Sequence, residues 1–288
     1  MEISRLIITS SMVNVHLENK NFHVKGVPWV KLIVNADDFG YNRGVNRGVI
    51  TAFNKGIVTS TTIMVNGDCF EEAVDLVNIC QNKLGVGLHV NMTRGKPVSS
   101  PSKVPSLLDN QGVFWQIDTL YQKKLVKEEV REEITSQVKK LKDYGIKPTH
   151  MDAHHHLQYH PLILEVLMET ALDFKLPLRN VGEETKNLFG ENNIPTPDYF
   201  ISSFFGEGAT EDNLISMLKE LTDNKGIFIV EVMTHPGYRE GFNNWSSYRE
   251  DRERELDILC SPSLKDFIRK EGISLVNYRY LQEYKSGP

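Results

Sequence analysis

The sequence predicts an α/β fold, a (β/α) TIM-like barrel of mostly parallel strands, closed or nearly closed, in a single domain. Two observations point to it. Short apolar, β-branched runs alternate with longer amphipathic stretches from Lys31 onward, and about eight such runs recur, enough to close or nearly close a parallel sheet. Several of them also end on an ionisable residue, where the βα loops of such a barrel carry chemistry.

In chain order, strands are expected at 31–35, 57–65, 84–90, 148–152, 176–179, 198–202, 226–234 and 273–277. Val130, Ile134, Val138 and Leu141 recur at helical spacing amid Glu and Lys, so they line one face of a helix. Gly145 ends that helix, with Pro148 beyond it. Pro161 suits the first position of a second helix, and a third runs from Asp212 to Leu221. The segments 92–120 and 236–250 are turn-rich and long enough to cover a substrate. Residues 1–29, polar and irregular after the first few, are set apart as an N-terminal extension of unknown role ahead of a domain spanning 30–288.

Composition narrows the function classes. Of the 288 residues, 40% are hydrophobic and 25% charged, ordinary values for a globular protein. A net charge of -5 without a Lys/Arg block argues against nucleic acid as a partner. No apolar run approaches the ~20 residues of a membrane span, so no membrane partner is expected. The N-terminus makes a poor signal peptide, and three cysteines without paired spacing read as reduced thiols; the expected location is cytoplasmic.

The chemistry-bearing residues lie at the ends of the apolar runs. Asp37 and Asp38 close Leu32-Ile33-Val34-Asn35-Ala36, and adjacent carboxylates at a strand mouth require a counter-charge. His89 sits in Gly87-Leu88-His89-Val90, Asp152 and His154-His155-His156 follow Thr149-His150-Met151, and His235 precedes Pro236-Gly237. Two imidazoles and a carboxylate suit a divalent metal with open positions, so Asp38, His89 and one of the three consecutive histidines, His154 first among them, are the candidate ligands. Asp37 is left as a general base, and His235 as a donor to a leaving amine. Asp152 can orient a ligating imidazole, and Arg179 can pair with Asp37 or Asp152. Singly, each has a plainer reading: a turn cap for the Asp pair, a core histidine for His89, a packing histidine for His235, a surface ion pair for Arg179. Aromatic residues that lie mostly in the long loops (Phe114, Trp115, Phe242, Trp245 and Tyr248, with Trp29 ahead of the run at 31–35) either stack on sugar rings or pack in the core.

The segments Leu32-Ile33-Val34-Asn35-Ala36-Asp37-Asp38-Phe39-Gly40, Gly56-Ile57-Val58-Thr59-Ser60-Thr61-Thr62, Gly87-Leu88-His89, Gly95-Lys96-Pro97-Val98, Lys147-Pro148-Thr149-His150-Met151-Asp152-Ala153-His154-His155-His156 and His235-Pro236-Gly237-Tyr238 resemble, in order, the signature segments of the YdjC-like carbohydrate deacetylases. That resemblance implies a distorted (β/α) barrel that removes acetyl groups from N-acetylated sugars, notably chitooligosaccharides, with a divalent ion such as Mg or Zn. It implies Asp37 as base, Asp38, His89 and His154 as metal ligands, and His235 as the residue assisting the leaving group. The chain departs from the family pattern in its ~30 leading residues, since family members usually begin just before the strand carrying Asp37. Rival expectations are a metal hydrolase of another amide or a phosphate ester, and a catalytically silent sugar-binding protein; a homodimer is a further expectation, from the loop aromatics.

Overall fold

A computed structural model describes residues 30–80, 83–223, 229–241 and 248–284. The expected N-terminal extension, Trp29, Phe242, Trp245 and the start of the run at 226–234 lie outside them. The strands are β1 Lys31–Phe39, β2 Ser60–Ile63, β3 Gly85–Val90, β4 Met151–Ala153, β5 Tyr199–Ile201, β6 Ile229–Thr234 and β7 Ser274–Leu275. The helices are α1 Arg43–Lys55, α2 Phe70–Ile79, α3 Ile117–Leu120, α4 Lys127–Asp143, α5 Pro161–Phe174, α6 Glu183–Glu191, α7 Glu211–Asp223, α8 Glu250–Cys260, α9 Pro262–Lys270 and α10 Arg279–Tyr284. All the strand pairs are parallel, in the order β4-β3-β2-β1-β6-β5, with β7 pairing the start of β1. The sheet curls into a distorted barrel, as the alternation of runs predicts.

Several expected strands are shorter than their apolar runs: 148–152, 198–202 and 273–277 pair only over Met151–Ala153, Tyr199–Ile201 and Ser274–Leu275. The run at 57–65 pairs only over Ser60–Ile63. The run at 176–179 is reduced to one parallel bridge, Leu178 to Met151. Pro177 has no N–H to extend the ladder, so its carbonyl accepts from Met151 at 2.9 Å and the Arg179 N–H closes the bridge onto the Met151 carbonyl at 3.1 Å. The expected helices are present: Pro161 starts α5, and Gly145, at φ +82°, follows the end of α4.

Strand alternation decides what the barrel holds. In β1, Leu32, Val34 and Ala36 join the large apolar cluster beneath the helices, whereas Ile33 packs with Ile229, Tyr278 and Leu281 in a small second cluster. Asn35 and Asp37 share the parity of Ile33 and continue that inner column. Along β1 the interior therefore changes from apolar at Ile33 to polar at Asn35 and then to ionisable at Asp37, with Glu231 opposite Ile33 in the register and His89 opposite Asp152. Gly87 makes room in this column: a Cβ there would stand 2.5 Å from the His150 ring. That ring lies flat on Tyr278, with centroids 3.6 Å apart.

Candidate active site

At the C-terminal ends of the strands a cavity of about 570 Å³ opens, lined among others by Asp37, Asp38, His89, His154, His235 and Arg252. Two consecutive residues of a strand normally face opposite ways. Asp37 and Asp38 both reach the cavity because Asp38 adopts φ +66° and the β1–β2 register shifts between Ala36 and Phe39. His155 and His156, at φ +55° and +50°, turn the chain just beyond β4, where His154 enters the site. A non-glycine left-handed residue costs on the order of 1 kcal/mol or more, so the surrounding packing holds three such residues around one cavity.

Three electron-pair donors converge there. Asp38 Oδ1 lies 3.2 Å from His89 Nε2 and 3.1 Å from His154 Nδ1, and the two nitrogens are 3.3 Å apart. Ligands held ~2.0–2.1 Å from one ion at tetrahedral angles stand about 3.3–3.4 Å apart, so this triangle fits a small divalent cation. Asp38 Oδ1 is buried and receives no hydrogen bond, while Oδ2 accepts one from Arg252 Nη2 at 2.5 Å. His89 Nδ1 lies 2.6 Å from Asp152 Oδ1, so donation to that carboxylate turns Nε2 towards Asp38 Oδ1. Burial works to lower the His89 pKa, yet Asp152 and Asp38 outweigh it and hold the imidazole up to about 10. Asp38 and Asp152 thus favour positive charge at this position, beside the Arg179 and Arg252 guanidiniums.

A second set of possible donors, Asp37, His89 and Asp152, overlaps the first but is already occupied. The guanidinium of Arg179, completely buried, places Nη1 2.6 Å from Asp37 Oδ2 and 2.8 Å from Asp152 Oδ2, and its Nε reaches Glu231 Oε1 at 2.9 Å. Burial alone would raise the Asp37 pKa; the Arg179 charge overrides it and keeps this carboxyl well below the usual range. Burial also prevails at Glu231, lifting it to about 7 despite Arg179 and the hydrogen bond from Tyr278. Asp38 is likewise held low, against burial, by Arg252 and His154.

On the opposite wall His235 follows β6 directly. Its Nε2 stands 3.9 Å from Asp37 Oδ2, and Phe205 and Tyr248 set ring edges or faces against it at 5.3 and 5.8 Å. Burial pushes this imidazole down to about 4, so it is neutral at neutral pH. Its backbone N–H donates to Glu255 Oε2 at 2.5 Å.

All seven residues singled out in the sequence thus meet in one place. Asp152 orients His89 rather than a histidine of its own segment, and Arg179 bridges both carboxylates proposed for it. Of the loop aromatics, Tyr248 lines the cavity, whereas Phe114 is buried and Trp115 is half-buried, its indole N–H on the Ser106 carbonyl. Reading strand ends misses Arg252 and Glu255, which sit on the charged helix α8. The available signal was their i, i+3 spacing on the face of Leu256 and Leu259, which is buried. Cys69, Cys80 and Cys260 are unpaired and half-buried. Among the described residues, no helix is long and apolar enough to cross a membrane.

Comparison with known proteins follows the same outline. The family model of YdjC-like proteins matches residues 31–270. A carbohydrate deacetylase of Brevibacillus brevis is 39% identical over 257 residues, covering 88% of this chain and 100% of the relative. One from Thermoanaerobacter pseudethanolicus is 37% identical, covering 87% and 99%. The solved structure of a suggested cellobiose-phosphate cleavage protein from Enterococcus faecalis superposes with a TM-score of 0.81 at 33% identity, covering 88% of this chain and 98% of that one. With this fold, this cluster of side chains and matches of this extent, the chain belongs to the YdjC-like protein family.

Proposed function

We propose that this chain is a metal-dependent carbohydrate deacetylase, hydrolysing the acetamide of N-acetylated sugars such as chitooligosaccharides to acetate and a free amino sugar. The observation that carries the reading is the triangle of Asp38 Oδ1, His89 Nε2 and His154 Nδ1, with edges of 3.1 to 3.3 Å beside a cavity wide enough for a sugar. The activity named for the relatives accords with it.

Asp38, His89 and His154 would hold the ion, and their two imidazoles favour Zn over Mg. A divalent ion bound there supplies Lewis acidity, which polarises a carbonyl and makes water more acidic. Asp37 remains a carboxylate at working pH because Arg179 clamps both its oxygens, and from the cavity wall it takes the proton of the attacking water. His235, across from Asp37, gives its Nε2 proton to the departing amine. Arg179 fixes Asp37 and Asp152 together, so base and ligand orientation depend on one guanidinium.

The test is acetate release from N,N′-diacetylchitobiose by zinc-loaded wild type, Asp37→Asn and His154→Ala, with p-nitrophenyl phosphate as a parallel substrate. Wild type is expected to release acetate, with both variants reduced at least ~100-fold. Full activity in either variant, or turnover of the phosphate ester alone, rejects the reading.

A further inference from the structure

The mechanism above leaves a proton unaccounted for. His235 is neutral at rest, so it can give up its Nε2 proton at neutral pH only if Nδ1 gains one in return. His235 Nδ1 is buried and receives no hydrogen bond. The nearest acidic group is the Glu255 carboxyl, whose Oε1 lies 3.9 Å away.

The surroundings of Glu255 favour a protonated carboxyl. The residue is completely buried. Its hydrogen-bond donors are neutral: the His235 backbone N–H on Oε2 and the Tyr248 hydroxyl on Oε1. Arg252, one turn earlier on α8, favours the ionised form by its charge but directs its Nη2 to Asp38, and burial outweighs it. Asp37 adds negative charge from β1, and α1, which packs on α8, turns inward only Gly44, Val45, Asn46, Gly48, Val49 and Ala52, none of them charged. A buried carboxylate without a directly paired cation takes up a proton rather than bear the desolvation cost. In line with this, burial pushes Glu255 up to about 8.

We propose that Glu255 supplies the proton that His235 passes to the departing amine. This rests on the deacetylase reading and adds a residue to it. The amide C–N bond breaks, and its electron pair stays on nitrogen, which takes the Nε2 proton of His235. Glu255 Oε1 then gives its proton to Nδ1. His235 ends neutral in its other tautomer and Glu255 ends as a carboxylate. A small turn of the ring closes 3.9 Å to hydrogen-bonding length, as catalytic contacts do when substrate binds. Tyr248, half-buried at the cavity wall and bonded to Glu255, connects the carboxyl to solvent for its return to the acid form. Glu255 touches no substrate atom and acts only through His235.

The experiment compares wild type with Glu255→Gln, which keeps an oxygen for the His235 N–H but carries no acid proton. On diacetylchitobiose, kcat is expected to fall ~100-fold with KM within about twofold. The wild-type rate should decline as pH rises through about 8, and that limb should vanish in the variant. A kcat within threefold of wild type, or a loss of rate with the alkaline limb retained, overturns the proposal. A second readout needs no turnover: carbon-13 NMR of labelled glutamate carboxyls should show one resonance, absent from Glu255→Gln, titrating near pH 8. Titration near the ordinary value also overturns it. If wild type releases no acetate at all, the deacetylase reading fails, and the NMR titration still decides the state of Glu255.

Discussion

Arg179 grips Asp37 with two parallel hydrogen bonds, Nη1 to Oδ2 at 2.6 Å and Nη2 to Oδ1 at 2.7 Å. The same guanidinium meets Asp152 and Glu231, so one buried cation faces three carboxyl groups. Replacing it with Met leaves those groups buried without their partner. Arg179→Met should lose ~3–5 kcal/mol of stability in chemical denaturation, because breaking a buried ion network strands the remaining charges. A loss below ~1 kcal/mol contradicts this, since it puts the pair in the range of exposed surface bridges.

Asp152 meets His89 at Nδ1, on the side of the ring away from the Nε2 corner of the triangle, and Thr62 holds its second oxygen at 2.9 Å. Asp152→Asn removes the charge that fixes the His89 tautomer while keeping the side chain's shape. Zinc affinity, measured by competition with a chromogenic chelator, should fall 10–100-fold. Unchanged affinity rejects the orienting role.

The buried carboxyl of Glu231 makes a pH-dependent prediction. Burial raises it from an ordinary 4.5 to about 7, so the folded state binds a proton that the unfolded chain has released. Its contribution to stability is therefore complete below about 4.5 and is lost as pH rises through about 7. Glu231→Gln cannot titrate. The stability of wild type relative to Glu231→Gln, measured by urea denaturation, should fall between pH 5 and 8, by at most about 1.4 kcal/mol per unit. A gap that is constant or widens with pH contradicts it.

Gly87 is required by packing. An added methyl would meet three atoms of the His150 ring between 2.5 and 2.8 Å, and that ring is held between Tyr278 and hydrogen bonds to Thr149 and Asn35. Gly87→Ala should destabilise the fold by ~1–3 kcal/mol in thermal or chemical denaturation. An unchanged midpoint would mean that the His150 ring is free to move.

The parts of the site that show in the sequence are those at strand ends. Asp37, His89, Asp152 and His235 follow apolar runs, and a parallel barrel brings such positions together whatever their separation in the chain. The three candidate ligands, Asp38, His89 and His154, were legible for the same reason. Two kinds of residue were hidden. Glu231 and His150 lie within or just before strands, where only the curl of the sheet and strand parity turn them toward one another. Arg252 and Glu255 lie in Glu250–Cys260, a helix so rich in charge that it reads as a solvated surface. The left-handed turn at Asp38 was also not legible, although it brings two adjacent carboxylates to one cavity. Nothing in the run Lys31–Phe39 marks it except the pairing of the acids themselves.

One measurement bears on the site most directly: a crystal structure of the zinc-loaded protein, with the ion located by its anomalous scattering. Convergence of the three donors predicts one ion within about 2.0–2.2 Å of Asp38 Oδ1, His89 Nε2 and His154 Nδ1. An ion bound elsewhere, or none at saturating zinc while those three atoms keep their places, contradicts a metal centre at this position.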